Sequence, residues 1–306
     1  MSAASLSDRR MLLVHAHPDD ESISNGASMA KYVAEGAHVT LVTCTLGEEG
    51  EVLVDSLAAL ASDRDDRLGE HRVGELKEAL DVLGVTDSRF LGGAGRYRDT
   101  GMAYNDQGLA IAPPTIRDGT FWRADLTEVS NHLVEIIREI RPQVLVTYDE
   151  SGGYGHPDHV QAHRVAMYAQ VLAAVPSYRP DLGAFWDVPK VYWNAMSESR
   201  MRDGLRQLRD SGDMTTFEGM DPDGPLPPFA VPDEWLTTEI DANDYVDKKL
   251  AAMAAHATQI TLDGPFFALS NNVGNSVWGT EFYRLAKGPV SPAGIGRERD
   301  LFAGVA

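Results

Sequence analysis

The chain has 306 residues, a formal net charge of −19 and a single cysteine, Cys44. A protein this acidic repels phosphate backbones and anionic lipids, so nucleic acids and membranes are not expected partners, and one cysteine cannot form an intramolecular disulfide. No apolar run reaches the roughly 20 residues that a membrane span needs, and no targeting signal stands out, so we expect a cytoplasmic protein.

Short apolar segments alternate with amphipathic helical segments along the first two thirds of the chain. Strands are predicted at 11–16, 38–44, 88–92, 143–149 and 190–196, and the first of them is expected to be buried. Helices are predicted over 24–36, from about 65 to 83, over 126–140, and from near Pro157 onward. This alternation is typical of right-handed βαβ units. It predicts an α/β fold with a Rossmann-like, doubly wound, mostly parallel sheet.

The remaining segments are less regular. Residues 92–120 are rich in glycine, proline and polar residues and are predicted to form a long loop, a kind of segment that is often functional. Residues 211–235 have a similar composition and are predicted to form an excursion or lid. A last helix is predicted over 243–257, before a mixed tail. We therefore expect a Rossmann-like catalytic domain at 1–195. A C-terminal elaboration at 196–306 is expected to pack on the same domain and shape the substrate pocket.

Two segments rich in histidine and aspartate follow the first and fourth predicted strands. The first is HAHPDDES at 15–22, and the second is YGHPDH at 154–159. Ligands of open parallel sheets bind beyond the carboxyl ends of strands, at the point where the strand order reverses. If these two strands flank that point, both segments lie in one crevice.

The residue types in these segments suit a catalytic zinc site. Such a site has three protein ligands and one open position for water, and His17, Asp20 and His159 provide a matching set. We expect one Zn²⁺ per chain, although Fe²⁺ or Co²⁺ can occupy the same set. His163 lies one helical turn beyond His159 and is a lower-ranked alternative ligand.

The neighbouring side chains then have catalytic roles to fill. Zinc lowers the pKa of its bound water to about 7, and Asp19 is placed to take the proton and later return it to a leaving amine. His156 is a candidate donor to the developing oxyanion. Asp158 is predicted to hold that imidazole in its charged form, because a nearby opposite charge raises a histidine pKa.

The paired AHPDDES and HPDH segments resemble the LmbE-like (PIG-L) family of metal-dependent amide hydrolases. The segments VTCTLGEEGEV and LGGAGRYRDTGM resemble the branch of that family that deacetylates N-acetylglucosaminyl-inositol in mycothiol biosynthesis. The similarity is strong over roughly residues 11–200. It implies zinc at His17, Asp20 and His159, with Asp19 as general base and then general acid.

The same resemblance implies further site residues. His156 would stabilise the tetrahedral intermediate, with Tyr154 nearby. Contacts with the sugar are implied for Ser24, Glu51, Arg72, Asp99 and Met102. A carboxylate accepts hydrogen bonds from sugar hydroxyls, and a guanidinium offers a rigid fork of donors. The expected partner is therefore a small amino-sugar substrate, whereas the sequence does not indicate an oligomeric state.

Alternative functions remain open at this point. Residues 197–213 have features of the mycothiol S-conjugate amidase, which cleaves an amide on the same nitrogen, and another N-acetyl amino sugar is a further possible substrate. A dinucleotide-binding oxidoreductase is disfavoured, because no G-x-G-x-x-G follows the first strand. A non-catalytic metal-binding module is a fourth interpretation. The open metal position and the spare Asp19 argue against it.

Overall fold

The computed structural model describes residues 8–106, 109–273, 278–290 and 296–305. Within these ranges the strands are β1 (Arg10–His15), β2 (His38–Thr43), β3 (Asp87–Phe90), β4 (Ala103–Tyr104), β5 (Ala110–Ile111), β6 (Val144–Thr147), β7 (Lys190–Ser197), β8 (Ala230–Val231), β9 (Thr238–Asp241) and β10 (Thr280–Lys287). The helices are α1 (Asp20–Ala34), α2 (Leu68–Leu83), α3 (Leu126–Ile140), α4 (Pro157–Ala173), α5 (Glu198–Asp210), α6 (Val246–Ala255) and α7 (Pro265–Val273).

The central sheet has the strand order β3-β2-β1-β6-β7-β10-β9. Neighbouring strands from β3 to β7 are parallel, whereas β10 pairs antiparallel with both β7 and β9. The chain leaves β1 toward β2 on one side and returns to β6 on the other, so the strand order reverses between β1 and β6. The predicted α/β fold with a mostly parallel, doubly wound sheet is confirmed, and the two strands that precede the His/Asp segments are neighbours.

Apolar side chains cover the sheet on both faces. One buried cluster joins β1 and β2 to α1, α2 and α6, with Tyr32, Leu76 and Ala252 among its members. The other joins the opposite face to α3 and α4, with Leu133 and Ala166 among its members. Burial of both faces explains why the strands are continuous apolar runs rather than alternating patterns.

Several elements differ from their predicted bounds. Helix α1 begins at Asp20 rather than at residue 24, so the last residue of the HPDD segment is helical. The predicted 92–120 loop contains the β4–β5 hairpin, with residues 107 and 108 outside the described ranges. Helix α5 was not predicted. Ser197 caps its first turn by accepting a hydrogen bond from the Arg200 backbone N–H, and the helix buries Leu205 and Leu208.

The C-terminal part contributes to the same sheet. Strands β9 and β10 extend the sheet beyond β7. Neither was predicted: β9 lies between the 211–235 segment and the helix predicted at 243–257, and β10 lies in the mixed tail. Short β8 in the predicted 211–235 lid pairs with the end of β7. The division at residue 195 and the lid role of 211–235 stay predictions. Among the described residues, no helix is both long and apolar enough to cross a membrane.

Candidate metal centre and active site

The two His/Asp segments meet at the carboxyl end of the sheet. Strand β1 ends at His15 and the adjacent β6 ends at Thr147. The chain after β1 carries His17, and the chain after β6 carries His156 and His159. The ring centroid of His17 lies 4.6 Å from that of His156 and 5.2 Å from that of His159. The strand order therefore brings residues that are remote in sequence into one cluster, as predicted.

His159 is oriented as a metal ligand would be. Its Nδ1 lies 3.2 Å from the carbonyl oxygen of Gly152, which assigns the ring proton to Nδ1. Its Nε2 is buried and has no hydrogen-bond partner among the described residues. Burial lowers the pKa of His159 to about 4, so the imidazole is neutral at physiological pH. A neutral ring held through one nitrogen, with the other nitrogen buried and free, fits metal coordination.

Glycines allow the loop after β6 to approach its neighbours this closely. Gly152 has φ +66°, and a Cβ there would lie 2.7 Å from the Cβ of His159. Gly155 has φ +98°, and a Cβ there would lie 2.4 Å from the carbonyl oxygen of Ala110 in the β4–β5 hairpin. Any larger residue at these positions would push the loop away from the histidines.

Asp20 places a carboxylate between the two imidazoles. Its Oδ1 lies 3.3 Å from His159 Nε2, and its Oδ2 lies 3.4 Å from His17 Nδ1. Oδ2 also accepts hydrogen bonds from the Tyr148 hydroxyl at 2.7 Å and from the His17 backbone N–H at 2.9 Å. Burial alone would raise the pKa of Asp20, but His159 and His17 outweigh it and hold that pKa well below its usual value. The structure thus brings His17, Asp20 and His159 together, with the carboxylate ionised.

Two further carboxylates face the outer side of His17. His17 Nε2 lies 3.5 Å from Asp99 Oδ1 and 3.5 Å from Asp158 Oδ2. Burial alone would lower the pKa of His17, but these carboxylates raise it well above its usual value. A carboxylate on the far nitrogen of a ligand histidine fixes the tautomer and strengthens the ligand. Nδ1 therefore faces the candidate metal position, and a cation that binds there would displace a proton.

Other groupings of these side chains can be compared with the predicted set. Candidate ligand atoms of His17, His156 and His159 lie within 4.8 Å of one another, as do those of His17, Asp99 and Asp158. The acidic grouping is already satisfied, because both Asp158 oxygens accept hydrogen bonds from Thr100, at 2.8 Å from its N–H and 2.5 Å from its hydroxyl. His156 is therefore the main alternative to Asp20 as the third ligand beside His17 and His159.

Replacing His156 with alanine separates a ligand role from a catalytic one. Because Asp20 already bridges His17 and His159, we expect the variant to keep its metal while kcat falls by about 10²- to 10³-fold, the usual cost of losing an oxyanion donor. Metal content per chain and kcat should be measured on the same preparation. Loss of the metal would assign His156 to the coordination sphere instead.

Asp19 occupies a strained position beside this cluster. Its φ of 120° is unusual for a residue other than glycine, and such strain is concentrated at functional sites. Its Oδ2 lies 3.1 Å from Arg72 Nη2. Burial raises the pKa of Asp19 to about 6, against the opposing effect of Arg72. A carboxyl group with such a pKa can both accept and return a proton near neutral pH.

The predicted pairing of Asp158 with His156 is wrong. The Asp158 carboxylate contacts Thr100 and His17, whereas His156 Nδ1 accepts a hydrogen bond from the Asp158 backbone N–H at 3.1 Å. Burial, together with the neighbouring imidazoles of His17 and His159, holds the pKa of His156 well below its usual value. The ring is therefore neutral, and with Nδ1 accepting, its proton is on Nε2. His156 can still donate a hydrogen bond, but as an imidazole rather than an imidazolium.

The residues predicted to contact the sugar occupy different environments. Arg72 is buried and donates to the carbonyl oxygens of Gly47 and Pro18 as well as contacting Asp19, so it is not on a solvated helix face. Asp99 and the partly exposed Met102 line a cavity of about 220 Å³.

The other predicted residues differ in exposure and in their neighbours. Ser24 is half-buried in α1, one helical turn after Asp20, and Glu51 is exposed. The Tyr154 ring centroid lies 5.1 Å from that of His159 and 6.2 Å from that of His156. The structure thus groups Tyr154 with the histidines.

Sequence reasoning missed two residues that support the cluster. The Tyr148 ring stacks on His159 at 4.3 Å between centroids, and its hydroxyl donates to Asp20. Thr100 donates hydrogen bonds to Asp158 from its backbone N–H and from its hydroxyl. Tyr148 directly follows β6, so its position at the end of a buried strand was an available signal. Thr100 lies in the predicted 92–120 loop, where no local pattern distinguished it.

Comparison with known proteins is consistent with this geometry. A family model described as PIG-L, GlcNAc-PI de-N-acetylase, matches residues 12–170. A 1D-myo-inositol 2-acetamido-2-deoxy-alpha-D-glucopyranoside deacetylase of Kribbella flavida is 68% identical over 98% of this chain and 99% of its own length. A protein of the same name from a Nocardioides species is 67% identical over 97% of this chain and 99% of its own length.

A solved structure shares the fold. The N,N'-diacetylchitobiose deacetylase from Pyrococcus horikoshii, complexed with its inhibitor MPG, superposes with a TM-score of 0.59 at 19% identity, over 93% of this chain and 87% of that protein. The family model covers more than half of the chain, and the sequence relatives cover almost all of it. The chain belongs to the PIG-L (GlcNAc-PI de-N-acetylase) family, which confirms the resemblance that its AHPDDES and HPDH segments indicated.

Proposed function

We propose that this protein is a metal-dependent amide hydrolase that removes the acetyl group of 1D-myo-inositol 2-acetamido-2-deoxy-α-D-glucopyranoside, the deacetylation step of mycothiol biosynthesis. The observation that carries the proposal is the convergence of His17, Asp20 and His159 beside a strained Asp19. Two relatives that are named for that reaction are 67% and 68% identical to this chain over nearly their full length, which supports this choice of substrate. We also propose that the protein is cytoplasmic, as predicted from the sequence.

His17 Nδ1, one or both Asp20 oxygens and His159 Nε2 would hold one divalent cation. We propose zinc, because two imidazoles and a carboxylate match its preferred ligands, with Fe²⁺ or Co²⁺ able to occupy the same set. When bound, the cation acts as a Lewis acid that activates a water molecule and polarises the acetamide carbonyl. The buried, unpartnered Nε2 of His159 is consistent with that assignment.

The side chains of the protein carry the proton transfers. Asp19 would take a proton from the attacking water and deliver it to the amine nitrogen as the C–N bond breaks, releasing acetate. Arg72 engages Asp19 Oδ2 at 3.1 Å, so the proton is expected on Oδ1. The neutral His156 would donate from Nε2 to the oxygen of the tetrahedral intermediate. Tyr154 lies beside it, and Asp158 acts from the outer side of His17.

The sugar would bind over the cavity that Asp99 and Met102 line. This cavity also contains the side chains of Glu49, Thr115 and Arg117, so it offers donors and acceptors for hydroxyl groups. The cavity adjoins His17, because Asp99 both lines the cavity and contacts His17. A sugar bound over the cavity would therefore present its acetamide to the candidate metal centre. The contacts of Ser24, Glu51 and Arg72 with the substrate stay predictions.

The test is release of free amine and acetate from the acetylated glucosaminyl-inositol by protein reconstituted with zinc. Protein treated with a chelator is the matched blank, and the cysteinyl conjugate of the same amine should be assayed in parallel. We expect metal-dependent release with the acetyl substrate preferred. A preference for the conjugate would indicate the amidase. No hydrolysis of any N-acyl amino sugar by metal-loaded protein would indicate a non-catalytic metal-binding module.

A further inference from the structure

The backbone of Asp19 depends on a side chain two residues ahead. The Asp19 N–H donates to Glu21 Oε2 at 2.9 Å. Asp19 has φ 120°, and it precedes α1 without making a side-chain cap for that helix. A non-glycine residue keeps such a conformation only when its surroundings impose it. Glu21 is therefore one of the groups that hold Asp19 in place.

Glu21 is in turn held by a histidine from the distant end of the chain. Its Oε1 lies 2.8 Å from His256 Nε2 and accepts from the Ser22 hydroxyl at 2.5 Å. The side chains of Glu21 and His256 are both 0% exposed. His256 Nδ1 is buried and has no hydrogen-bond partner among the described residues, so the bond to Glu21 is the polar interaction that orients the ring.

His256 directly follows α6, which packs against both α1 and α2. Helix α2 carries Arg72, which contacts the Asp19 carboxylate, and α1 begins directly after Asp19. The C-terminal part thus reaches Asp19 through the Glu21–His256 pair, while Arg72 contacts the Asp19 carboxylate.

We propose that Glu21 and His256 are positioning residues that aim the Asp19 carboxylate, so that the C-terminal part is required for turnover and not only for packing. This inference rests on the proposed role of Asp19 as general base. Among the described residues, no side-chain hydrogen bond or ion pair joins Glu21 or His256 to the candidate ligand atoms of His17, Asp20 or His159, so their effect on turnover should be separable from metal binding. Displacing a catalytic group by about 1 Å can cost on the order of 100-fold in rate.

The experiment compares His256→Phe with His256→Gln in zinc-loaded, full-length protein. Phenylalanine removes the donor to Glu21, so kcat should fall by roughly 10- to 100-fold while KM and metal content stay within about 2-fold. Glutamine retains an N–H donor and should recover most of the lost kcat. Glu21→Gln, which removes an acceptor at constant size, provides a second variant if His256→Phe does not fold.

Two comparisons distinguish positioning from general destabilisation. Met253→Ala on the same helix removes a fully buried side chain and should lower the unfolding temperature without a comparable loss of kcat. In an Asp19→Asn background, His256→Phe should change the residual kcat by less than about 3-fold, because residues acting as one unit are not additive. An equal loss in both backgrounds, or the same kcat loss in Met253→Ala, would overturn the inference. Near-normal activity of Asp19→Asn alone would instead refute the base assignment.

Discussion

Replacing Asp19 with asparagine should lower kcat by on the order of 10²- to 10⁴-fold while the protein retains its metal. The amide keeps the size of the side chain but cannot accept the proton, and the atoms proposed to hold the metal belong to His17, Asp20 and His159. KM should change little, because the substitution removes a function needed in the transition state rather than a binding surface. Steady-state kinetics on zinc-loaded protein, with metal content from the same sample, measures both effects.

A matched control is available on α2. Asp81 is exposed and pairs with Lys77, so Asp81→Asn removes the same charge far from any proposed role and should leave kcat within about 2-fold. Asp19→Asn at near-normal kcat would show that another group accepts the proton. Loss of metal in Asp19→Asn would show that this residue supports coordination as well.

Replacing His159 with alanine should abolish tight metal binding and, with it, activity. His159 offers a buried Nε2 that faces Asp20, while Gly152 holds the other ring nitrogen. Loss of a partner outside the coordination sphere already costs about 10- to 100-fold in metal affinity, and loss of a ligand should cost more. Metal per chain after dialysis, together with a competition titration against a chelator, measures the change.

The neighbouring His163 makes a stringent control for this prediction. It lies one turn further along α4, but its Nδ1 contacts the Tyr148 carbonyl oxygen at 3.0 Å and its ring packs 5.3 Å from that of Trp193. His163→Ala should therefore keep one metal per chain. The reverse result, with metal retained in His159→Ala and lost in His163→Ala, would transfer the ligand role to His163.

The correct predictions of fold and site came from residue patterns that are visible within a short stretch of sequence. The alternation of apolar runs with helical stripes predicted the parallel sheet, because burial on both faces leaves the central strands as largely apolar runs. The two His/Asp segments predicted one site, because parallel strands present their carboxyl ends at the same edge. The pattern did not predict β9 and β10, since these antiparallel strands mix polar with apolar residues and no predicted helix separates them into βαβ units.

The sequence by itself therefore determined which residue types are available for chemistry and on which edge of the sheet they lie. Only the tertiary structure decided their partners. Tyr148 hydrogen-bonds to Asp20, Thr100 to Asp158, and His256 to Glu21. His156 is neutral and is not paired with the Asp158 carboxylate. The physical reason is that burial shifts pKa values and selects hydrogen-bond partners through packing between remote segments, which no local spacing of residues records.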